Sequence, residues 1–293
     1  MKKAMMSVLM KIAEKEDLVI LSGDLGFNLF EEFAEKYPDR FFNMGIAEQN
    51  MIGVAAGLAK TGKKVFVYSI IPFVTFRVLE QIRNDLCYPS LNVVVAGVGT
   101  GYSYGSLGFS HHAIEDVAAL RGIPNLTILS PADVGELKSL LKESFSLSGP
   151  AYIRLGKSEQ EMTRNNLKIG DLNIIKNGKD VIILSHGDIL EEVLKADKLL
   201  KEKGVNATIV SVPTLKPVGD KLKRLCSMYK KIVVVEEVNR IGGLGDIVYS
   251  LNLGIPITHI AVDDRFTSVA GDQVYLRKLN GLDAGSIVSQ ITR

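Results

Sequence analysis

Short runs of apolar, often β-branched residues recur along the chain and alternate with stretches of helical period. The runs that predict strands cover 18–22, 65–69, 92–96, 127–129, 151–155, 181–184, 207–210, 231–235 and 257–262. They are apolar at odd and even positions alike, the pattern of parallel strands covered by helices on both faces. Amphipathic periods predict helices over 133–145 and 189–203. Strand alternating with helix implies an α/β chain with doubly wound, mostly parallel sheets. The pattern weakens between Gly156 and Lys179, where the sequence turns polar. This stretch divides the chain into a larger domain over 1–165, a linker over 166–178 and a smaller domain over 179–293.

The helix expected over 48–60 is unusual in carrying Gly53 and Gly57 one turn apart among alanines. Each glycine costs about 1 kcal/mol relative to alanine in a helix interior, so a compensating close approach is expected. Tight packing on the chain's own sheet and contact with a second copy of the chain are both open.

Composition narrows the function classes. Of 293 residues, 46% are hydrophobic and 23% charged, as in ordinary globular proteins. The 35 basic and 33 acidic side chains nearly cancel, leaving +2, so no broad field favours nucleic acid or an anionic membrane. Cys87 and Cys226 lack metal-type spacing and suit a reducing compartment, so a cytoplasmic location is expected. The first ten residues loosely imitate a signal peptide but run on into Lys11–Asp17 without a small-residue cleavage site, so an amphipathic helix is expected. No apolar run is long enough for a transmembrane helix.

Candidate chemistry is sparse. Gly97-Val98-Gly99-Thr100-Gly101 follows a strand, but Tyr102 stands where a dinucleotide fingerprint needs its third glycine. Gly242-Gly243-Leu244-Gly245 also lacks that spacing, so plain turns explain both. His111-His112 ends the loop after the strand at 92–96, at the sheet edge where open α/β folds place ligands. Adjacent histidines cannot share one metal ion on a helix, and capping or packing is an equal alternative. Glu48 opens the glycine-bearing helix after Phe41-Phe42-Asn43-Met44-Gly45-Ile46-Ala47. It could simply complement the helix dipole. Among such apolar neighbours, burial would instead raise its pKa and let it share a proton with a nitrogen base.

The segment Phe41–Asn50 resembles the signature strand-to-helix segment of the pyrimidine domain of transketolases. The likeness continues through Glu80-Gln81-Ile82-Arg83-Asn84, Ser110-His111, Glu115-Asp116, Leu120–Asn125, Ser130-Pro131-Ala132-Asp133 and Tyr152-Ile153-Arg154-Leu155-Gly156. The second domain is similar to the transketolase C-terminal domain, including Gly242-Gly243-Leu244-Gly245. The resemblance implies a thiamine diphosphate site in which Glu48 hydrogen-bonds the aminopyrimidine and favours its imino tautomer. In that family the tautomer would serve to generate the cofactor's ylide, the nucleophile of the reaction. The resemblance further implies that Phe73 and Phe76 stack on the pyrimidine, with Ile46 beside them, core packing being the alternative for both rings. His111 would meet the reacting carbonyl oxygen. Arg154 would grip a sugar phosphate with its planar fork, an internal ion pair being the alternative.

One part of the family pattern is missing and one is altered. There is no Gly-Asp-Gly segment with downstream asparagines to hold Mg²⁺ and the diphosphate, and Ser22-Gly23-Asp24-Leu25 does not supply one. The resemblance therefore implies the C-terminal half of a split transketolase. Its diphosphate-binding N-terminal subunit would be a separate polypeptide, and two such chains would form the core of a heterotetramer. In the loop Gly105-Ser106-Leu107-Gly108-Phe109-Ser110-His111, Leu107 occupies the position of the family's substrate-reading aspartate, and His112 replaces a glutamine. A substrate hydroxyl that loses its acceptor there forfeits on the order of 1–3 kcal/mol. The expected reaction is transfer of a two-carbon ketol unit from a ketose to an aldehyde. A 2-oxo-acid dehydrogenase beta subunit, half of a deoxyxylulose-phosphate-type synthase, and a non-catalytic regulatory subunit are the alternatives.

Overall fold

The computed structural model describes residues 1–161 and 166–292 and contains two parallel-type sheets flanked by helices. The strands are β1 Leu18–Ser22, β2 Phe41–Asn43, β3 Lys64–Ile70, β4 Val93–Val98, β5 Thr127–Leu129 and β6 Ala151–Leu155. They continue with β7 Asn173–Lys176, β8 Val181–Ser185, β9 Ala207–Ser211, β10 Thr214–Lys216, β11 Ile232–Asn239 and β12 Ile257–Val262. The α-helices of the first half are α1 Lys2–Ala13, α2 Glu31–Lys36, α3 Glu48–Lys60, α4 Ile71–Thr75, α5 Leu79–Gln81, α6 Asp116–Arg121 and α7 Val134–Ser144. Those of the second are α8 Leu190–Glu202, α9 Asp220–Cys226, α10 Leu244–Ser250, α11 Gln273–Leu279 and α12 Ala284–Ile291. Among the described residues no helix is long and apolar enough to cross a membrane.

The first sheet runs β10-β5-β6-β4-β3-β1-β2 and the second β12-β11-β8-β9-β7. Among the described strands, β10 against β5 and β7 against β9 pair antiparallel and the rest pair parallel. Alternation within β1 explains the layering. Leu18 and Ile20 face a core built with Met5 and Leu9 of α1 and Leu137 and Leu141 of α7. Val19 and Leu21 face the other way, toward Met51, Ile52 and Ala55 of α3. That second core runs on without a break into Ile182, Leu184, Val210 and Val234 of the second sheet, so the two domains share one apolar layer.

Two elements depart from the sequence expectation. Residues 173–176, inside the stretch read as linker, form the edge strand β7, whose length and polar ends hide it from a hydrophobic pattern. The boundary placed at Asn165 lies outside the described residues. The three-residue β10 follows Pro213 and leaves the second domain to close the edge of the first sheet. The helix over 48–60 forms as expected, and its glycines settle one of the two open readings. A Cβ on Gly53 or Gly57 would meet nothing within 4 Å, so neither packs on the chain's own sheet.

Glu136, in the first turn of α7, ties the domains together. Its carboxylate accepts hydrogen bonds from Ala132 N (2.7 Å), Asn173 Nδ2 (3.0 Å) and Ser211 Oγ (3.2 Å). Burial nevertheless pushes its pKa up to about 7. A raised folded-state pKa contributes stability that is complete below the unfolded value and is lost as pH rises through about 7. Glu136→Gln removes that dependence, and turning over the Asn173 amide lets its Oδ1, which has no partner, accept from the new amide. Denaturant unfolding at pH 5 and pH 8 should find the wild-type chain losing up to roughly 3 kcal/mol more than the variant between the two.

Candidate active site

The first sheet changes winding direction at β1, which lies between β2 on one side and β3 on the other. Open α/β sheets bind ligands outside the carboxyl ends of strands at such a point. Here β1 ends in Ser22 and β3 reaches Ser69, while the chain leaving β2 turns through Gly45 into α3. Gly45 has φ +68°, a left-handed turn that glycine takes at little cost, and Asn43 Oδ1 accepts its N–H at 2.9 Å. The turn delivers Glu48 over the ends of β1 and β3.

Glu48 is only 3% exposed. Ser69 Oγ donates to its Oε1 at 3.3 Å, and Arg77 Nη1 donates to its Oε2 at 2.7 Å. Arg77 is brought back to this carboxylate by a break in helical winding. The helix α4 ends at Thr75, a 3₁₀ turn covers Phe76–Val78, and a π-helical stretch follows at Ile82–Cys87. Such interruptions often mark functional segments. The Arg77 guanidinium also lies over the Phe73 ring, 4.7 Å from its centroid. Phe73 in turn meets the edge of His111, with ring centroids 5.2 Å apart at 77°. Ser110 Oγ and His111 Nδ1 share a hydrogen bond of 3.0 Å.

The structure thus brings Glu48, Phe73 and His111 together and adds Arg77 and Ser69, which sequence reasoning missed. The clue to Ser69 was its place at a strand's carboxyl end; Arg77 had no local signal, since a lone arginine after a phenylalanine is unremarkable. Phe76 is exposed rather than part of the core, and Ile46 stands 78% exposed on the turn before Glu48. Leu107 and His111 lie on the loop after β4, with Leu107 exposed. His111 and His112 diverge: the His112 ring is buried edge-on against Tyr102, and burial holds its pKa below the ordinary histidine value.

Arg154 does not join them. It is 2% exposed on β6, where Nε donates to Asp116 Oδ2 at 2.8 Å and Nη2 to Asp116 Oδ1 at 3.1 Å. Nη2 also reaches Ala113 O (3.0 Å), and Tyr152 Oη donates to Asp116 at 2.6 Å. The fork that was expected to grip a phosphate is spent on an internal ion pair. Among the described residues no group of three or more His, Cys, Asp or Glu side chains could hold a metal ion.

The model of the transketolase pyrimidine-binding domain matches residues 1–162, and that of the transketolase C-terminal domain matches residues 170–287. The chain belongs to the transketolase family. It is 37% identical to a putative transketolase C-terminal section of Methanocaldococcus jannaschii, over 99% of this chain and 95% of that protein. It is 35% identical to one subunit of an apulose-4-phosphate transketolase of Actinobacillus succinogenes, over 87% and 85% of the two chains. Among solved structures, a split-gene transketolase described as an inactive beta4 tetramer superposes with a TM-score of 0.88. That match has 35% identity and covers 99% of this chain and 96% of the other. Both family domains are therefore present, in order, within the span of subunit-length relatives.

The Glu48–Arg77 pair can be tested apart from catalysis. Arg77→Ala strands the buried Glu48 carboxylate and should destabilise the chain by about 1–3 kcal/mol in denaturant unfolding. Adding Glu48→Gln should recover most of that loss, because an amide needs no counter-ion.

Proposed function

We propose that this chain is the pyrimidine-binding half of a split, thiamine-diphosphate-dependent transketolase-type transferase. A second polypeptide would supply the domain that holds the diphosphate and Mg²⁺. The observation that carries this reading is the placement of Arg77. A planar cation stacks on Phe73 while donating to the buried Glu48 carboxylate. A flat, proton-sharing aminopyrimidine needs that same pair of surfaces, so the residues present fit the group. Bound thiamine diphosphate would supply the nucleophile and electron sink for moving a two-carbon ketol unit from a ketose to an aldehyde.

The chain's own residues would do the rest. Glu48 holds a proton at the ring nitrogen, with Ser69 fixing one carboxylate oxygen, and Phe73 fixes the plane of the ring. Arg77 turns outward to make room, which its half-exposed side chain permits. His111 reaches the substrate oxygen from the edge of Phe73. Leu107 sits where relatives of this fold read a hydroxyl, so the substrate is a sugar, in keeping with the names of the relatives, that asks no acceptor at that position.

Large apolar side chains in or after strands of the first sheet have little cover: Phe27, Phe42, Ile46, Phe76, Leu107 and Phe109. Exposed apolar surface of this kind suits an interface. The diphosphate-binding partner is its occupant in this reading. The outward face of Gly53 and Gly57 suits close approach of a second copy of the chain, and a relative is described as a beta4 tetramer. Burial pushes the thiols of Cys87 and Cys226 up to about 11, which suits inert core cysteines in a cytoplasmic protein.

Two measurements test the reading. Titration calorimetry with thiamine diphosphate and Mg²⁺ should detect weak or no binding by the chain alone and tight binding once the partner is added. Tight binding by the chain alone would contradict it. Glu48→Gln in the assembled pair should lower kcat on the order of 10²- to 10⁴-fold while leaving the fold intact.

A further inference from the structure

The loop bearing His111 and Leu107 is braced at its base by the second domain. Gly101 and Ala113 exchange backbone hydrogen bonds of 3.1 and 2.9 Å, closing the segment 101–113 into a compact loop. At its base Tyr102 N donates to Glu237 Oε1 at 3.2 Å, and Glu237 Oε2 accepts from Arg277 Nη2 at 2.6 Å. Gln273 Nε2 donates to the same carboxylate at 3.1 Å. Gly101 has φ +54°, and a Cβ there would come within 2.5 Å of the Glu237 carboxyl carbon, so loop and carboxylate fit each other without slack. Tyr102 Oη meets Thr267 Oγ1 at 2.7 Å, and Gly271 N donates to Gly105 O at 3.2 Å. Inside the loop, His112 packs on Tyr102, so an anchored Tyr102 fixes the backbone that carries His111.

Glu237 is 5% exposed and lies on β11, a strand whose neighbouring Glu236 serves a different end. Glu236 binds His186, His259 and the backbone at the start of α10. A buried carboxylate is costly unless it is paired and hydrogen-bonded; Arg277 and Gln273 of its own domain pair Glu237, and its remaining oxygen takes the Tyr102 N–H of the loop from the other domain.

We propose that Glu237, braced by Arg277, is a positioning residue for His111, so that the second domain sets the geometry of the substrate loop without touching substrate. The proposal rests on the reading that His111 meets the substrate. Orientation errors of about 1 Å at a reacting group cost on the order of 10²-fold in rate, so slack in the loop would register in kcat.

The experiment has two arms. Hydrogen exchange on the chain alone should find amides 101–113 exchanging at least about tenfold faster in Glu237→Ala, with β8, β9 and α3 unchanged. In Glu237→Gln, whose carbonyl still accepts from Tyr102 N but whose amide no longer pairs with Arg277, part of that protection should return. In the assembled pair, Glu237→Ala should lower kcat on the order of 10- to 100-fold with cofactor affinity unchanged, and Glu237→Gln should recover part of the loss. Tyr102→Phe, which deletes only the hydroxyl contact to Thr267, should act in the same direction with a smaller effect and stands in if Glu237→Ala does not fold. Loop protection unchanged in Glu237→Ala and Tyr102→Phe would overturn the proposal, as would a loss of rate that Glu237→Gln does not recover. A separate control, His111→Ala with undiminished activity, would remove the assigned role of His111 and with it the functional half of the proposal; the exchange arm would still report on the anchoring.

Discussion

One buried carboxylate organises the first domain. Glu48 sits over the carboxyl ends of β1 and β3 with a single side-chain hydroxyl and a single guanidinium as partners. A charge so placed is costly to bury and is tolerated only because Arg77 reaches it from the half-exposed side. The turn at Gly45, the broken winding after α4 and the aromatic face of Phe73 all follow from delivering and receiving that pair. The carboxylate is buried while its cation is half-exposed. That combination suits a site completed by something from outside.

The second domain is more than an appendage to this site. It shares an apolar layer with the first domain, lends it β10 as an edge strand, and joins it through hydrogen bonds from Ser211 to Glu136 and from Tyr102 to Glu237. Several large apolar side chains in or after strands of the first sheet are exposed, and the glycine face of α3 is open as well. In the proposed reading the chain braces its site from behind and leaves those surfaces to other polypeptides.

Much of this was legible from the residues. Fully apolar runs mark buried parallel strands, and all nine predicted runs correspond to strands. Gly45 before Glu48 announced the turn, and the resemblance to transketolases implied that Phe73 and His111 share a site with the carboxylate. What escaped is long-range or short. The strands β7 and β10 have only four and three residues and owe their existence to a waiting edge, not to their own pattern. Arg77 became legible only when a 3₁₀ turn rotated it toward a partner 29 positions earlier. Arg154 misled because its fork suits a phosphate and a carboxylate equally, and sequence does not reveal that Asp116 lies within reach.

The most direct test of the central claim is a crystal structure of the chain assembled with its diphosphate-binding partner and thiamine diphosphate. The account predicts a Glu48 carboxylate oxygen at hydrogen-bond distance, roughly 2.7–3.0 Å, from a pyrimidine nitrogen, with the ring on Phe73 and Arg77 turned away. A Glu48 still paired with Arg77 while the cofactor lies elsewhere would contradict it.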